Sequence, residues 1–357
     1  MKVTTTNKLI WIFISTCLSC TSVIILFKIS EARMHQENPF IRRYPQGTSK
    51  DKDKDLHYNS YYFAGTSGDS IYMGNTTAPL LVTLADTAIE NISKYSIRLD
   101  KSYRPAETQL RVGPSHFYLI DGTQPGIYMG LKSKWEATLR WRGQQPFSQP
   151  QLTSAYSLAC RTIDPKSGES ELALLRFDND LFDIKDNVLE KQVDGIFDSD
   201  GRLHYDPLTA RLVYTYLYRN QFISTDNSLN LIRRGKTIDT ITHANIKVSY
   251  VEDHAEKKFA APPLEVNRTS AVWGNLLFVN SALVGKFEEK QVWKQASIID
   301  AYNLDNGNYI ASFYIYNIDN KRLRSFIVTR QYLYALVGTH IVRYRLAEVI
   351  TSHYTKK

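Results

Sequence analysis

Short runs of apolar and aromatic residues alternate with turn-forming residues over most of the chain. From Tyr58 onward, Asn, Asp, Gly and Ser separate these runs at the spacing of about 8 to 12 residues that is typical of strands joined by turns. Residues 297–302, 305–308 and 309–315, for example, have the pattern of a strand, an Asn/Gly turn and a second strand. The pattern predicts an all-β domain.

Comparable strand-rich units recur along this region. We place them at residues 61–86, 110–139, 152–177, 195–240, 246–293 and 297–344. The tetrapeptide Ile-Tyr-Met-Gly occurs twice, beginning at Ile71 and at Ile127. A spacing of about 40 to 50 residues per unit is that of propeller blades, which bury their faces only when they close into a ring. We therefore predict a β-propeller of six blades, with seven blades or a pair of β-sandwiches as alternatives.

The first 55 residues have a different pattern. Residues 9–27 carry no charge and lie between Lys8 and Lys28, which is the length of one helical membrane crossing. A cleaved signal peptide is the main alternative, but its apolar region is usually only ~7–15 residues long. A lipoprotein signal ending at Cys20 is the second alternative, although Cys17 stands where that signal has an aliphatic residue. The span therefore predicts an uncleaved transmembrane helix.

The domain prediction follows from these patterns. Residues 1–8 form a cytoplasmic N-terminus, 9–27 the transmembrane helix, 28–55 a polar tether, 56–346 the propeller and 347–357 a C-terminal tail. Because the sequence Lys-Asp-Lys-Asp-Lys-Asp at 50–55 cannot bury apolar surface, we expect the tether to be unstructured. We expect the propeller on the periplasmic side of the inner membrane, although the Lys and Arg residues after the span favour the opposite orientation.

The formal charge of +8 does not indicate a nucleic-acid-binding protein. Residues 1–55 contain nine Lys and Arg against five Asp and Glu, so half of the excess lies beside the membrane span. The other 302 residues contain 35 against 31 and are nearly balanced. The folded region therefore lacks the basic footprint that nucleic-acid binding requires.

The sequence contains no recognisable catalytic, cofactor or metal motif. Its eight histidines are scattered, and its three cysteines leave only Cys160 in the folded region. The aspartates around Gly195 and Gly201 lack the later ligands of a calcium loop. We therefore predict no cofactor and no metal site.

One buried charge is a candidate for ligand binding. Residues 214–222 alternate as a strand would, which places Arg219 among strand positions. A cation in a central strand needs a carboxylate, and Asp194 or Asp239 is the predicted partner. The set Arg219, Asp194 and Asp239 forms either a structural ion pair between blades or a ligand site in the central channel.

Several short motifs carry a resemblance to one group of propellers. They are Ile71-Tyr72-Met73-Gly74-Asn75 with Ala78-Pro79, residues 192–197 followed by Asp200-Gly201, residues 218–221 and residues 237–240. In these the chain resembles the membrane-anchored six-bladed β-propeller proteins of Bacteroidota, a largely uncharacterised group. The resemblance implies an exported propeller and assigns no site residues.

Two functions remain open at this point. The first is a module that binds a protein or a small ligand at the membrane surface through the propeller face. The alternative is a hydrolase or oxidoreductase whose site lies in the central channel, where residues from several blades converge.

Overall fold

The computed structural model describes residues 5–34, 39–99, 107–251 and 256–354. Its helices are α1 (Thr5–Met34), α2 (Lys290–Gln295) and α3 (Glu348–Thr351). Its strands are β1 (Ser49–Asp55), β2 (Tyr61–Ser67), β3 (Ser70–Asn75), β4 (Leu81–Asp86), β5 (Ile92–Ser96), β6 (Arg98–Leu99), β7 (Gln109–Val112), β8 (His116–Asp121), β9 (Gly126–Leu131), β10 (Glu136–Arg142), β11 (Phe147–Ser154), β12 (Ser157–Ile163), β13 (Ser170–Arg176), β14 (Leu181–Lys185), β15 (Gly201–Asp206), β16 (Arg211–Tyr216), β17 (Gln221–Asp226), β18 (Leu231–Lys236), β19 (Val248–Val251), β20 (Glu256–Phe259), β21 (Asn267–Trp273), β22 (Leu276–Ser281), β23 (Ala296–Asn303), β24 (Tyr309–Tyr316), β25 (Leu323–Val328), β26 (Tyr332–Val337) and β27 (His340–Arg345).

The strands form six blades of four antiparallel strands each, so the predicted six-bladed propeller is confirmed. Blades 1 to 5 consist of β2–β5, β7–β10, β11–β14, β15–β18 and β21–β24, and blade 6 consists of β25–β27 with β1. The short strand β6 adds to blade 2 in parallel with β10, and the hairpin β19–β20 lies between blades 4 and 5.

The hydrophobic core is divided among the junctions between blades. Each of six buried clusters contains side chains from two neighbouring blades, including the junction of blade 6 with blade 1. At that junction Tyr334 and Ile341 of blade 6 pack with Ile71 and Met73 of blade 1. Because each sheet face is covered by the next sheet, the ring buries apolar surface that one blade would expose.

The prediction of a polar tether over residues 28–55 is wrong for its second half. Strand β1 pairs antiparallel with β27, with Lys50 opposite Tyr344 and Asp55 opposite His340. Its alternating charges suit an outermost strand, where they discourage pairing with another chain. Asp51 also forms an ion pair of 2.6 Å with Arg343 of β27. The N-terminal strand thus completes the last blade and closes the ring.

Residues 39–48 are also part of the fold. The side chain of Arg42 is buried and forms ion pairs with Asp300 at 2.7 Å and with Glu288 at 2.9 Å. Phe40 packs against Val266 and Leu283. Only the residues before 39 can therefore serve as a link to the N-terminal helix.

Two units of the repeat prediction are also wrong. Residues 246–293 and 297–344 do not form one blade each, because blade 5 is divided between them and residues 297–344 also contain three strands of blade 6. The two Ile-Tyr-Met-Gly copies lie at different positions within their blades. The copy at Ile71 lies in the second strand of blade 1, whereas the copy at Ile127 lies in the third strand of blade 2.

Helix α1 contains an apolar stretch, Ile10–Ser30, with a mean hydropathy of 2.2. Its length and composition are compatible with a single membrane crossing and also with a signal sequence. At the other end of the chain, α3 does not extend into solvent as a tail. Ile350 is fully buried in the cluster between blades 5 and 6.

Candidate functional site

A cavity of about 720 Å³ lies where the six blades meet. Its lining contains residues from the first strand of every blade, namely β2, β7, β11, β15, β21 and β25. Each first strand is the innermost strand of its sheet, so the cavity coincides with the axis of the propeller. A volume in this range is that of a small-molecule site.

Hydrogen bonds between first strands show that these strands run side by side in the same direction. The Leu110 amide of β7 donates to the Tyr62 hydroxyl of β2 at 2.7 Å, and the Leu203 amide of β15 donates to the Gln149 side chain of β11 at 2.8 Å. Each bond joins residues near the beginnings of two strands. Because every blade repeats the same strand order with its first strand innermost, all six first strands begin at one face of the propeller.

Three arginines line the cavity, with Arg202 and Arg324 at that end and Arg111 nearer the middle. Arg202 and Arg324 are the second residues of β15 and β25, and Arg111 is the third residue of β7. The acidic residue among the described lining residues is Glu107. No ion pair in the described part of the chain joins Glu107 to any of the three arginines. The beginning of the cavity is consequently electropositive.

The hydrogen bonds of these arginines go to neutral acceptors. Arg111 donates to the Pro150 carbonyl at 3.0 Å and to the Gln109 side chain at 3.1 Å. Arg324 donates to the Tyr61 carbonyl at 3.2 Å. The side chain of Arg202 donates no hydrogen bond to any described residue. Burial lowers the pKa of Arg111 and of Arg324, as expected for cations whose surroundings do not compensate their charge.

His204 lies in the middle of β15, on the same lining. Its Nε2 atom is 2.8 Å from the Ser270 hydroxyl of β21. Burial, together with the smaller effect of the charges of Arg202 and Arg111, lowers the pKa of His204 to about 3. The imidazole is therefore neutral at physiological pH and can exchange a hydrogen bond with a ligand without titrating.

The other end of the cavity is apolar. Trp273 and Val328 end β21 and β25, and both line the cavity together with Val272 and Ile327. The cavity thus combines cationic groups at one end with hydrophobic side chains at the other. This is the composition of a site that orients a ligand by a few polar groups.

Arg219 lies outside this cavity and is fully buried. Residues 217–220 form the turn between β16 and β17, so the predicted continuous strand over 214–222 is wrong. The predicted pairing with Asp194 or Asp239 is also wrong. The guanidinium lies 3.7 Å from Asp198, donates to the Asp198 and Glu190 carbonyls at 2.9 and 2.6 Å, and stacks on the Tyr216 ring.

The two predicted carboxylate partners stabilise loops. Asp194 accepts a hydrogen bond from the Phe197 amide at 3.0 Å, and Asp239 accepts one from the Ile241 amide at 3.0 Å. Burial raises the pKa of Asp239, although the Thr237 hydroxyl opposes that shift. These contacts favour the structural interpretation of Arg219, Asp194 and Asp239, and their role in ligand binding stays a prediction.

Asp198 was not predicted as a partner of Arg219, but it holds this loop together. Burial raises its pKa, yet hydrogen bonds from the Gln192 and Gly195 amides outweigh burial, so the net pKa is lowered. Asp198 is therefore ionised and provides the counter-charge to Arg219.

The described residues contain no group of three or more His, Cys, Asp or Glu side chains that could hold a metal ion. In the cavity, His204 and Glu107 are the residues of these types among the described lining. The channel-enzyme hypothesis required a convergence of such groups, and the described lining does not provide it.

Comparisons with other proteins support the fold and assign no function. No protein-family model and no curated protein matches the chain. Among solved structures, a member of the DUF4221 family from Bacteroides vulgatus matches with a TM-score of 0.55 and 13% identity, over 84% of this chain and 97% of that chain. A protein of unknown function from Bacteroides thetaiotaomicron matches with a TM-score of 0.48 and 9% identity, over 85% and 73% of the two chains. The first of these matches shows that the chain is similar in fold to a member of the DUF4221 family.

Proposed function

We propose that this chain is a membrane-anchored, extracytoplasmic ligand-binding module whose site is the cavity at the propeller axis. The observation that carries the proposal is that all six blades contribute to one cavity of about 720 Å³ with a cationic and an apolar end. A rigid ring of sheets preorganises such a site, which reduces the entropic cost of binding. The proposal assigns the ligand to the cavity and not to the outer surface of the blades.

The anchor is the apolar helix within residues 9–27, and the propeller lies on the periplasmic side of the inner membrane. Phe40 joins the fold beside Val266 and Leu283, near the beginnings of the first strands. Phe40 follows Met34 by six positions along the chain, which span at most roughly 20 Å. The cationic end of the cavity therefore belongs to the face that is linked to the membrane.

The anchor is tested by the mass of the N-terminal peptide of the protein purified from membranes. An intact N-terminus supports the uncleaved helix, whereas cleavage before Cys20 with a lipid adduct supports the lipoprotein alternative. Protease digestion of spheroplasts tests the side, because a periplasmic propeller is degraded without lysis and a cytoplasmic one is protected.

The binding site is tested by a thermal-shift screen of small metabolites against the full chain in detergent. Ser325 lines the cavity, so Ser325→Trp is expected to remove the shift produced by any ligand that is found. Ser93 lies exposed on the outermost strand of blade 1, and Ser93→Trp is the matched control. A ligand that stabilises both variants as much as the wild type would place the site elsewhere and contradict the proposal.

A further inference from the structure

Buried or partly buried arginines elsewhere in this fold have carboxylate partners. Arg42 has Asp300 at 2.7 Å, and Arg161 has Asp200 at 2.6 Å. Arg111 is half-buried, and Arg202 and Arg324 are exposed towards the cavity. No ion pair within the described ranges involves any of the three. They belong to three different blades and line one cavity.

An uncompensated guanidinium in a partly desolvated site is unfavourable unless an anion neutralises it. Guanidinium groups match phosphate and carboxylate oxygens in a two-pronged geometry, and such charge-assisted hydrogen bonds are stronger than neutral ones. The Arg202 side chain donates no hydrogen bond to the described residues. The three side chains therefore have no anionic partner among the described residues.

We infer that the cavity binds a small molecule that carries phosphate or carboxylate groups, held by Arg111, Arg202 and Arg324. The inference rests on the proposed binding function and adds the chemical class of its ligand. The neutral imidazole of His204 provides one further hydrogen bond beside the anion. Trp273 and Val328, at the opposite end of the cavity, contact the less polar part of the ligand.

The anion has two sources that the cavity chemistry does not separate. It is either a soluble metabolite or the headgroup of an anionic lipid, because the cationic end of the cavity belongs to the face that carries the link to α1. Both sources present the same phosphate or carboxylate oxygens to the arginines. The experiment therefore needs one arm for each source.

The test uses the full chain in nanodiscs of zwitterionic phosphatidylcholine, with inorganic phosphate and citrate as probes at constant ionic strength. Titration calorimetry compares the wild type with the double variant Arg202→Gln/Arg324→Gln. Arg330 is exposed in the turn after β25, outside the cavity lining, and Arg330→Gln removes a positive charge there as a control. Neither cavity substitution removes a buried ion pair, so both variants should fold.

We expect citrate to bind the wild type and Arg330→Gln with equal Kd, and the double variant at least about tenfold more weakly, as the loss of charge-assisted hydrogen bonds implies. In nanodiscs that contain phosphatidylglycerol, an unchanged citrate Kd identifies a soluble ligand. A citrate Kd that is raised in the wild type and in Arg330→Gln, but not in the double variant, identifies a lipid headgroup that competes for the arginines. Both results support an anion site.

Two results would overturn the inference. Citrate and phosphate could fail to bind the wild type, or bind the double variant and Arg330→Gln with the same Kd. If Ser325→Trp then abolishes the binding of a neutral metabolite and the arginine substitutions do not, the anion inference fails and the binding function stands. If neither the arginine substitutions nor Ser325→Trp changes the binding of any ligand, the proposed function fails as well.

Discussion

Replacing Arg42 with methionine removes the strongest contact between the N-terminal segment and the propeller. The Arg42 side chain donates to Asp300 at 2.7 and 3.1 Å, to Glu288 at 2.9 and 3.0 Å and to the Leu283 carbonyl at 3.1 Å. It also lies over the Phe40 ring, 4.7 Å from the centroid. Methionine keeps much of the apolar volume but none of the donors.

The expected loss of unfolding free energy follows from the two carboxylates that remain when the Arg42 side chain is removed. The side chains of Asp300 and Glu288 are only 2% and 8% exposed, so removing Arg42 leaves two carboxylates buried without their cation. Removing one partner of a buried ion pair costs about 3 to 5 kcal/mol. The cation–π contact with Phe40 adds about 0.5 to 1 kcal/mol. We therefore expect Arg42→Met to lower the free energy of unfolding by about 4 kcal/mol.

The assay is urea unfolding of the full chain in detergent, followed by intrinsic fluorescence. Arg43 is the matched control, because it is an exposed arginine in the same segment that contacts Tyr309. Arg43→Met should cost less than about 1 kcal/mol, as surface contacts do. Adding Asp300→Asn and Glu288→Gln to Arg42→Met should recover part of the loss, because neutral amides no longer need a cation.

Equal, small effects of Arg42→Met and Arg43→Met would refute this reasoning. They would mean that residues 39–48 contribute little to the fold, as the sequence alone suggested.

Three further predictions concern single residues. Arg219→Met should lower the free energy of unfolding by about 3 kcal/mol in the same urea assay, because Asp198 loses its buried counter-charge. Because the folded protein keeps His204 neutral down to about pH 3, only the unfolded chain takes up that proton as the pH falls below about 6.5. Wild-type stability should thus fall by up to about 1.4 kcal/mol per pH unit there, and His204→Gln, unlike the exposed control His57→Gln, should flatten the profile. Gly65→Ala should destabilise more than Gly68→Ala, because a Cβ at Gly65 would lie 2.4 Å from the Val112 carbonyl oxygen whereas Gly68 faces open space.

Each of these three predictions would be contradicted by a specific result. An unfolding free energy of Arg219→Met equal to that of the wild type would show that the ion pair with Asp198 is not formed. Parallel pH profiles for the wild type and His204→Gln would mean that the imidazole titrates normally. Equal melting temperatures for the two glycine variants would contradict the close approach of β2 to β7.

The sequence predicted the architecture because the information for strands and turns is local. The unit predicted at 195–240 corresponds closely to blade 4, since each turn there has its own Asp, Asn or Gly. The unit at 297–344 failed because a turn within a blade and a turn between blades have the same residue preferences. Strand β1 was missed for a related reason. Its charged residues form a strand only because β27, nearly 300 residues later, supplies its hydrogen-bond partners.

The sequence alone could not predict which residues line the cavity. Arg202 follows an Asp-Gly turn and Arg324 follows Leu323, and many surface strands begin in the same way. What makes them special is that β15 and β25 are the innermost strands of their blades, which depends on how the blades close. Arg219 was predicted to lie in a central strand, but residues 217–220 form a turn that brings it into contact with Asp198.

The central claim is that the cavity holds an anionic ligand through arginines from separate blades. Native mass spectrometry of the full chain, extracted gently from its own membranes, tests the claim even while the identity of the ligand is unknown. We predict a wild-type species with an additional small-molecule mass that is retained in Arg330→Gln and lost in Arg202→Gln/Arg324→Gln. Identical mass spectra for the wild type and the double variant, apart from the substitutions themselves, would contradict the claim.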